Sequence, residues 1–387
     1  MLSKSDFLLD PDIIFLNHGS FGATPREVFE IYQGWQRKLE AKPVKFIARD
    51  LFGHFKETRD ALGKYLNISG DNLVLVPNAT FGVNIIARSL KLQTGDEILT
   101  TDHEYGACAN AWQLSTQATG AKIIEQEISL PVKPSAALIE EFWKGVTPRT
   151  KVIFISHITS ATALCFPVKE ICQKARAAGI MTVIDGAHAP GQMDVDLTEI
   201  DADFYVGNCH KWMLGAKGAG FLYAKEEHQA LLEPLVVSWG WGENSPYTTG
   251  SRFIDNLEWW GTKDPAASLT VKAAIEFLEK NDWPAVQERS NKLVSIALLK
   301  IGEITQLPSV YPEHNRRYFH QMAIAPLPLK DKTVEFQAEL YDHYHIEIPI
   351  IKWKDRSFAR ISIQAYNTDE DVYALAHAIH SALPSYL

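Results

Sequence analysis

A chain of 387 residues with 46% hydrophobic residues is long enough for a large core and two domains. Its formal charge of −9 argues against nucleic acid as a partner, because phosphate binding wants a basic face. No window approaches the roughly 18 unbroken apolar residues of a membrane span, and no long apolar core follows Lys4, so neither a membrane segment nor a signal peptide is expected.

From residue 73 to 224, short β-rich runs alternate with helical patterns. The predicted strands are "LVLV" (73–76), "DEILTT" (96–101), "AKIIEQEI" (121–128), "KVIFISHI" (151–158), "MTVID" (181–185), "DFYVG" (203–207) and "AGFLYA" (219–224). Helical segments such as "FGVNIIARSL" and "KEICQKARAAG" lie between them. Apolar strands separated by helices predict an α/β domain around a mostly parallel, buried sheet. Ligands of such sheets sit beyond the carboxyl ends of the strands. After "WWGTKDP" (259–265) the texture changes. "AASLTVKAAIEFLEK" reads as one long helix with Pro265 near its start, and "FARISIQ" (358–364) reads as a strand. "DEDVYALAHAIHSAL" reads as the last helix. The expected division is an N-terminal segment, 1–20, packing near the small domain, a large α/β domain, 21–265, and a smaller C-terminal α+β domain, 266–387.

Three features carry chemistry. In "VPNATFGVN" (76–84), strand "LVLV" ends, Asn78, Ala79 and Thr80 follow, and a helix begins. A helix N-terminus offers unpaired N–H groups and partial positive charge, which suits phosphate; an ordinary N-cap is the plainer reading. Asp185 ends "TVID" and precedes the small, turn-prone "GAHAPG". A carboxylate there either caps a loop or faces a pyridine nitrogen and keeps it protonated, making the ring an electron sink. Lys211 follows "DFYVGNCH" and precedes Gly215, Gly218 and Gly220. It is either a solvated loop lysine or an amine whose burial lowers its pKa, so that it attacks a carbonyl and shuttles protons. The three features occurring in this order favour the functional reading of each.

With these residues in place, the chain resembles the class V aminotransferase-fold enzymes, which use pyridoxal 5′-phosphate (PLP). The resemblance runs through "FLNHGSFGATP" (15–25), "DHEYGAC" (102–108), "VIDGAHAPGQ" (183–192), "NCHKWMLGAKGAGFLY" (208–223), "WWGTKDPAA" (259–267) and "RISIQAYNT" (360–368). These segments look most like the isopenicillin N epimerase-like branch. The resemblance implies fold type I, with a mostly parallel seven-stranded sheet and a smaller α+β domain. It implies that Lys211 holds PLP as an imine, that Asp185 partners the ring nitrogen and that His188 hydrogen-bonds the ring's phenolic oxygen. Ala79, Thr80, Asn208 and His210 match phosphate-cup positions, with Asn78 beside them. Thr262 matches a phosphate ligand given to the neighbouring subunit, which implies a homodimer. Tyr105 matches the aromatic residue that stacks on the ring, with His103 as the alternative. Arg360 matches the arginine that grips the substrate carboxylate, a task its fork suits. His18 and Arg49 are further candidates for substrate contact.

Cysteine desulfurases of this fold carry a nucleophilic cysteine in a loop before the carboxylate arginine. The corresponding stretch here, "HYHIEIPIIKW" (343–353), has none, and Cys108, Cys165, Cys172 and Cys209 all lie earlier. The cysteines show no CxxC pairing and read as reduced thiols of a cytoplasmic protein. His343 and His345 read as structural rather than metal-binding, so no metal is expected. "GENSPYTTGSRF" (242–253) reads as an active-site loop or a surface loop, and Trp239, Trp241, Trp259 and Trp260 as core or interface packing. The expected activity is carbanion chemistry at the Cα of an amino acid, first as an epimerase or racemase. A carbon–sulfur β-lyase acting on cysteine or a cysteine conjugate comes second and an aminotransferase third, with a silent binding protein on the same fold as the non-enzymatic alternative.

Overall fold

The apolar runs of the first 224 residues pair into one sheet. In the computed structural model, which describes residues 2–242, 248–313 and 316–387, the strands are β1 (Ile14–Phe15), β2 (Leu73–Val76), β3 (Glu97–Thr101), β4 (Lys122–Gln126), β5 (Thr150–Ser156), β6 (Met181–Gly186), β7 (Phe204–Asn208), β8 (Gly220–Ala224), β9 (Met322–Leu327), β10 (Ile346–Glu347), β11 (Ile350–Trp353) and β12 (Arg356–Ser362). Strands β2 to β8 form a seven-stranded sheet of order β2-β8-β7-β6-β5-β3-β4. β8 runs antiparallel to its neighbours β2 and β7, and every other pair is parallel. Each of the seven strands read from the sequence is present, and this is the fold expected.

These strands are near-continuously apolar because both faces are covered. Successive side chains point to opposite faces. Leu73, Leu75, Ile153 and Ile155 enter one core, while Val74, Val76, Val152 and Phe154 enter the other. Fully burying each such side chain contributes roughly 1.5–3 kcal/mol. β4, at the sheet edge, is only partly covered, and its charged Lys122 and Glu125 sit there exposed.

Beyond residue 265 a second sheet, β11-β12-β9, is antiparallel. Helices Trp283–Thr305, Thr333–Asp342 and Asp369–Ala382 pack on and around it. Thr368 begins the last helix with a reciprocal capping box to Asp371. β1 pairs in parallel with β10, joining Ile14 to Ile346. The expected long helix from residue 266 is in fact two, Ala266–Leu269 and Val271–Lys280. The break is Thr270, whose hydroxyl donates to Ala267 O at 2.6 Å and accepts from Ala216 N at 3.1 Å. A threonine hydroxyl bonded to nearby backbone competes with the helical ladder. No described helix is long and apolar enough to cross a membrane.

Candidate active site

β2, β3, β5, β6 and β7 all end at one edge of the large sheet, where β8 begins. A cavity of about 280 Å³ opens at that edge, with Asn78, Tyr105, Ser156, Asp185, Asn208 and Lys211 on its walls. Ala79, Thr80, His188 and His210 complete the predicted residues that line it. Nine residues chosen from separate segments thus meet in one cleft, with Ser156 among them as a residue not chosen.

Lys211 Nζ lies 3.0 Å from His188 Nε2. Burial lowers its pKa to about 8, against the opposite pull of Asp185. His188 is buried and held neutral, first by burial and then by the charge of Lys211. Trp212 Nε1 donates to His188 Nδ1 at 3.3 Å. A neutral imidazole that accepts at Nδ1 carries its proton on Nε2. That N–H faces Lys211 and favours the free amine over the ammonium. Asp185 is buried and accepts from Ala187 N at 2.9 Å and from the Cys108 thiol at 3.4 Å. Burial raises its pKa, and Lys211 pulls it back down.

At the other end of the cavity, helix Ala79–Ser89 begins. Asn78 caps it, accepting from Phe81 N at 2.9 Å, and Ala79 N donates to Asn208 Oδ1 at 2.8 Å. The N-cap reading of Asn78 is therefore realised, and the helix N-terminus still opens into the cleft. His210 Nδ1 bonds Ala219 O at 2.9 Å, and burial lowers its pKa to about 4.

Arg360, buried in β12, sits behind two serines of the wall. It donates to Ser160 O and to Ser20 Oγ, both at 2.7 Å. Neither serine was picked out from the sequence, nor were Ser156 and the exposed Phe21, which also line the cleft. Ser156 was findable, since it ends β5 at the edge where Asp185 stands next to the end of β6, and the two are register partners. Behind Ser156 lies Glu104, which accepts from its main-chain N at 2.9 Å and from Thr101 Oγ1 at 2.7 Å. Burial raises this carboxyl to about 7.

Four candidates lie elsewhere. His103 is buried away from the cleft, bonded to Thr162 Oγ1 and Ile128 O and stacked on Trp353 at 4.4 Å. The chain turns at 102–105 so that Tyr105, not His103, reaches the cavity. His18 lies one layer back, between Tyr366 Oη and Lys211 O, and so steadies the lysine's backbone. Arg49 is exposed on the π turn Phe46–Asp50. Thr262 is exposed and off the cavity wall. Among the tryptophans, Trp259 is buried whereas Trp239 and Trp241 are exposed. His343 and His345 are exposed. Residues 243–247 of the polar loop lie outside the described residues. Of the cysteines, Cys108, Cys172 and Cys209 are buried and Cys165 half-buried, and burial pushes every thiol up.

A buried amine with no ion-pair partner among the described residues, a carboxylate across from it and a helix N-terminus in one cleft define an enzyme of amine–carbonyl chemistry. The aminotransferase class-V family matches residues 22–375, and the chain belongs to that family. The isopenicillin N epimerase of Amycolatopsis lactamdurans is 34% identical over 97% of both chains. A probable chloroplastic L-cysteine desulfhydrase of Arabidopsis thaliana is 26% identical over 96% of this chain and 83% of its own. Among solved structures, a mutant of C-DES with glycine covalently linked to its PLP superposes with a TM-score of 0.84 at 19% identity, covering 98% of this chain and 99% of that one. The fold is that of the type I PLP enzymes, and the cofactor is PLP. The donor set fits it: an amine for the aldehyde, a carboxylate for the ring nitrogen, and helix N–H groups with a hydroxyl for the phosphate.

Proposed function

We propose that this chain is an amino-acid epimerase of the isopenicillin N epimerase kind. The observation that carries the reading is the 34% identity to that epimerase over 97% of both chains. It is supported by a cleft that holds a base, Lys211, and no cysteine among the described residues of its wall. Bound PLP supplies an electron sink for the pair left on Cα. Lys211 Nζ takes the Cα proton, and its lowered pKa of about 8 keeps a share of free amine at neutral pH. Arg360, released from Ser20 and Ser160, grips the substrate carboxylate in a two-point contact. Asp185 holds the ring nitrogen, His188 the phenolic oxygen, and Thr80, Asn208 and His210 the phosphate. Thr262, being exposed, is free to reach the cofactor phosphate of a second copy in a homodimer. The setting assigned is the cytoplasm.

A second reading, a C–S β-lyase, draws on the desulfhydrase relative at 26% identity. Proton removal by Lys211 serves elimination equally well. The test is a panel of L- and D-amino acids in D2O with the PLP-loaded protein. Loss of chirality with deuterium at Cα is expected. Pyruvate and sulfide from cysteine, with no epimer, would overturn the epimerase reading in favour of the lyase.

A further inference from the structure

Epimerisation needs two proton-transfer groups, one on each face of Cα, and Lys211 supplies one. We infer that the Tyr105 hydroxyl is the acid–base group on the face opposite Lys211, an assignment that rests on the epimerase reading. The sheet order carries it. Lys211 follows β7, Asp185 is the last residue but one of β6, Ser156 ends β5 and Tyr105 follows β3, and these strands are neighbours in the order β7-β6-β5-β3. The strand of Asp185, the residue that would hold the ring nitrogen of PLP, therefore lies between those of the lysine and the tyrosine. Three inter-strand steps separate β7 from β3, about 14 Å. The two long side chains, carried by strands at the two ends of that span, line one cavity.

The other proton-bearing groups on the wall are engaged or, like the Thr80 hydroxyl assigned to the phosphate, far weaker acids than a phenol. His188 is paired with Lys211 and stands on the same side. His210 is tied to Ala219 O. Ser156 is held by Glu104 from behind, through both its main-chain N and its hydroxyl. Ser20 and Ser160 hold Arg360 until it turns to the substrate, and their hydroxyls are then too weakly acidic to serve. Among the described residues the Tyr105 hydroxyl makes no hydrogen bond. A phenol, like a lysine ammonium, is an acid of pKa about 10 in water, whereas serine and threonine hydroxyls are far weaker acids.

The protons balance. Lys211 Nζ takes H⁺ from Cα, and the electron pair stays behind. Tyr105 Oη gives its proton to the other face. The ammonium and phenolate that result exchange one proton with water, for which Tyr105, 48% exposed, is placed. The reverse reaction uses the tyrosine as base and the lysine as acid.

Tyr105→Phe separates this role from ring stacking, since phenylalanine keeps the aromatic face. The probes are isopenicillin N and the L and D forms of alanine and glutamate, in D2O, with PLP-loaded protein. The variant should bind PLP with wild-type affinity and an unchanged visible absorption band. Its epimerisation should fall on the order of 100-fold, the usual range for a lost acid–base group. One enantiomer should still exchange its Cα proton for deuterium with retained configuration, because Lys211 still serves its own face. Epimerisation within about threefold of wild type, or equal loss of exchange from both enantiomers, would overturn the assignment. A wild type that releases pyruvate from cysteine and epimerises none of the probes overturns the epimerase reading instead, which distinguishes the two failures.

Discussion

Replacing Glu258 tests how the floor of the site is held. Its carboxylate pairs with Arg59 of helix Leu51–Tyr65, and the two side chains are 1% and 3% exposed. Glu258 also accepts from Leu75 N in β2 at 3.1 Å, three residues before Asn78. Burial pushes the Glu258 carboxyl up while Arg59 pulls it down. Truncation to alanine leaves a guanidinium buried without its partner, at about 3–5 kcal/mol. It also strips the Leu75 N–H of its acceptor, at about 1–3 kcal/mol. The two overlap, so about 4–6 kcal/mol is expected, a large share of a typical total stability of roughly 5–15 kcal/mol. Urea unfolding of the cofactor-free protein, followed by circular dichroism, would measure it. Arg59→Met with Glu258→Leu should recover most of the loss, because a buried pair swapped for apolar groups leaves no orphaned charge. A loss under about 1 kcal/mol for Glu258→Ala, or a double variant no better than the single one, would refute the reasoning.

Further outcomes follow from the same site. Cys108→Ala removes the thiol that donates to Asp185 Oδ2; PLP affinity should fall several-fold by absorbance titration, with Cys108→Ser closer to wild type. Imine formation between added PLP and the cofactor-free protein should speed up as pH rises with a midpoint near pH 8, since burial lowers Lys211 to about that value. A midpoint near 10 would contradict its burial. By linkage, the folded value lies below the unfolded one, so the burial penalty of Lys211 is full below pH 8 and shrinks above it. Gly22→Ala places a Cβ 2.1 Å from His210 O at a φ of +72°, which should displace the 210–211 turn and weaken PLP binding at least tenfold. Iodoacetamide at pH 7 should leave the native enzyme active, because burial raises all four thiols; inactivation that substrate prevents would argue for a working cysteine.

Much of this was readable along the chain. Runs such as "KVIFISHI" are buried on both faces, and burial is a local property that hydrophobic pattern reports directly. Asp185 and Lys211 stood out because charged residues at the ends of apolar strands need a reason to be there. Other features depend on angles and long-range meetings that no local pattern carries. His103 and Tyr105 are two residues apart, yet the turn after β3 sends one against Trp353 and the other into the cleft. Thr270 divides a helix because its hydroxyl meets Ala216, 54 positions away in the chain. Arg360 meets Ser20 across 340 positions, and Arg59 meets Glu258 across 199. The primary structure alone determined the strands and the family and singled out Lys211 as the candidate amine, since each is written in neighbouring residues. Only the folded chain decided which side chains face the cavity and which stand behind it, because that choice is made by how separate segments pack.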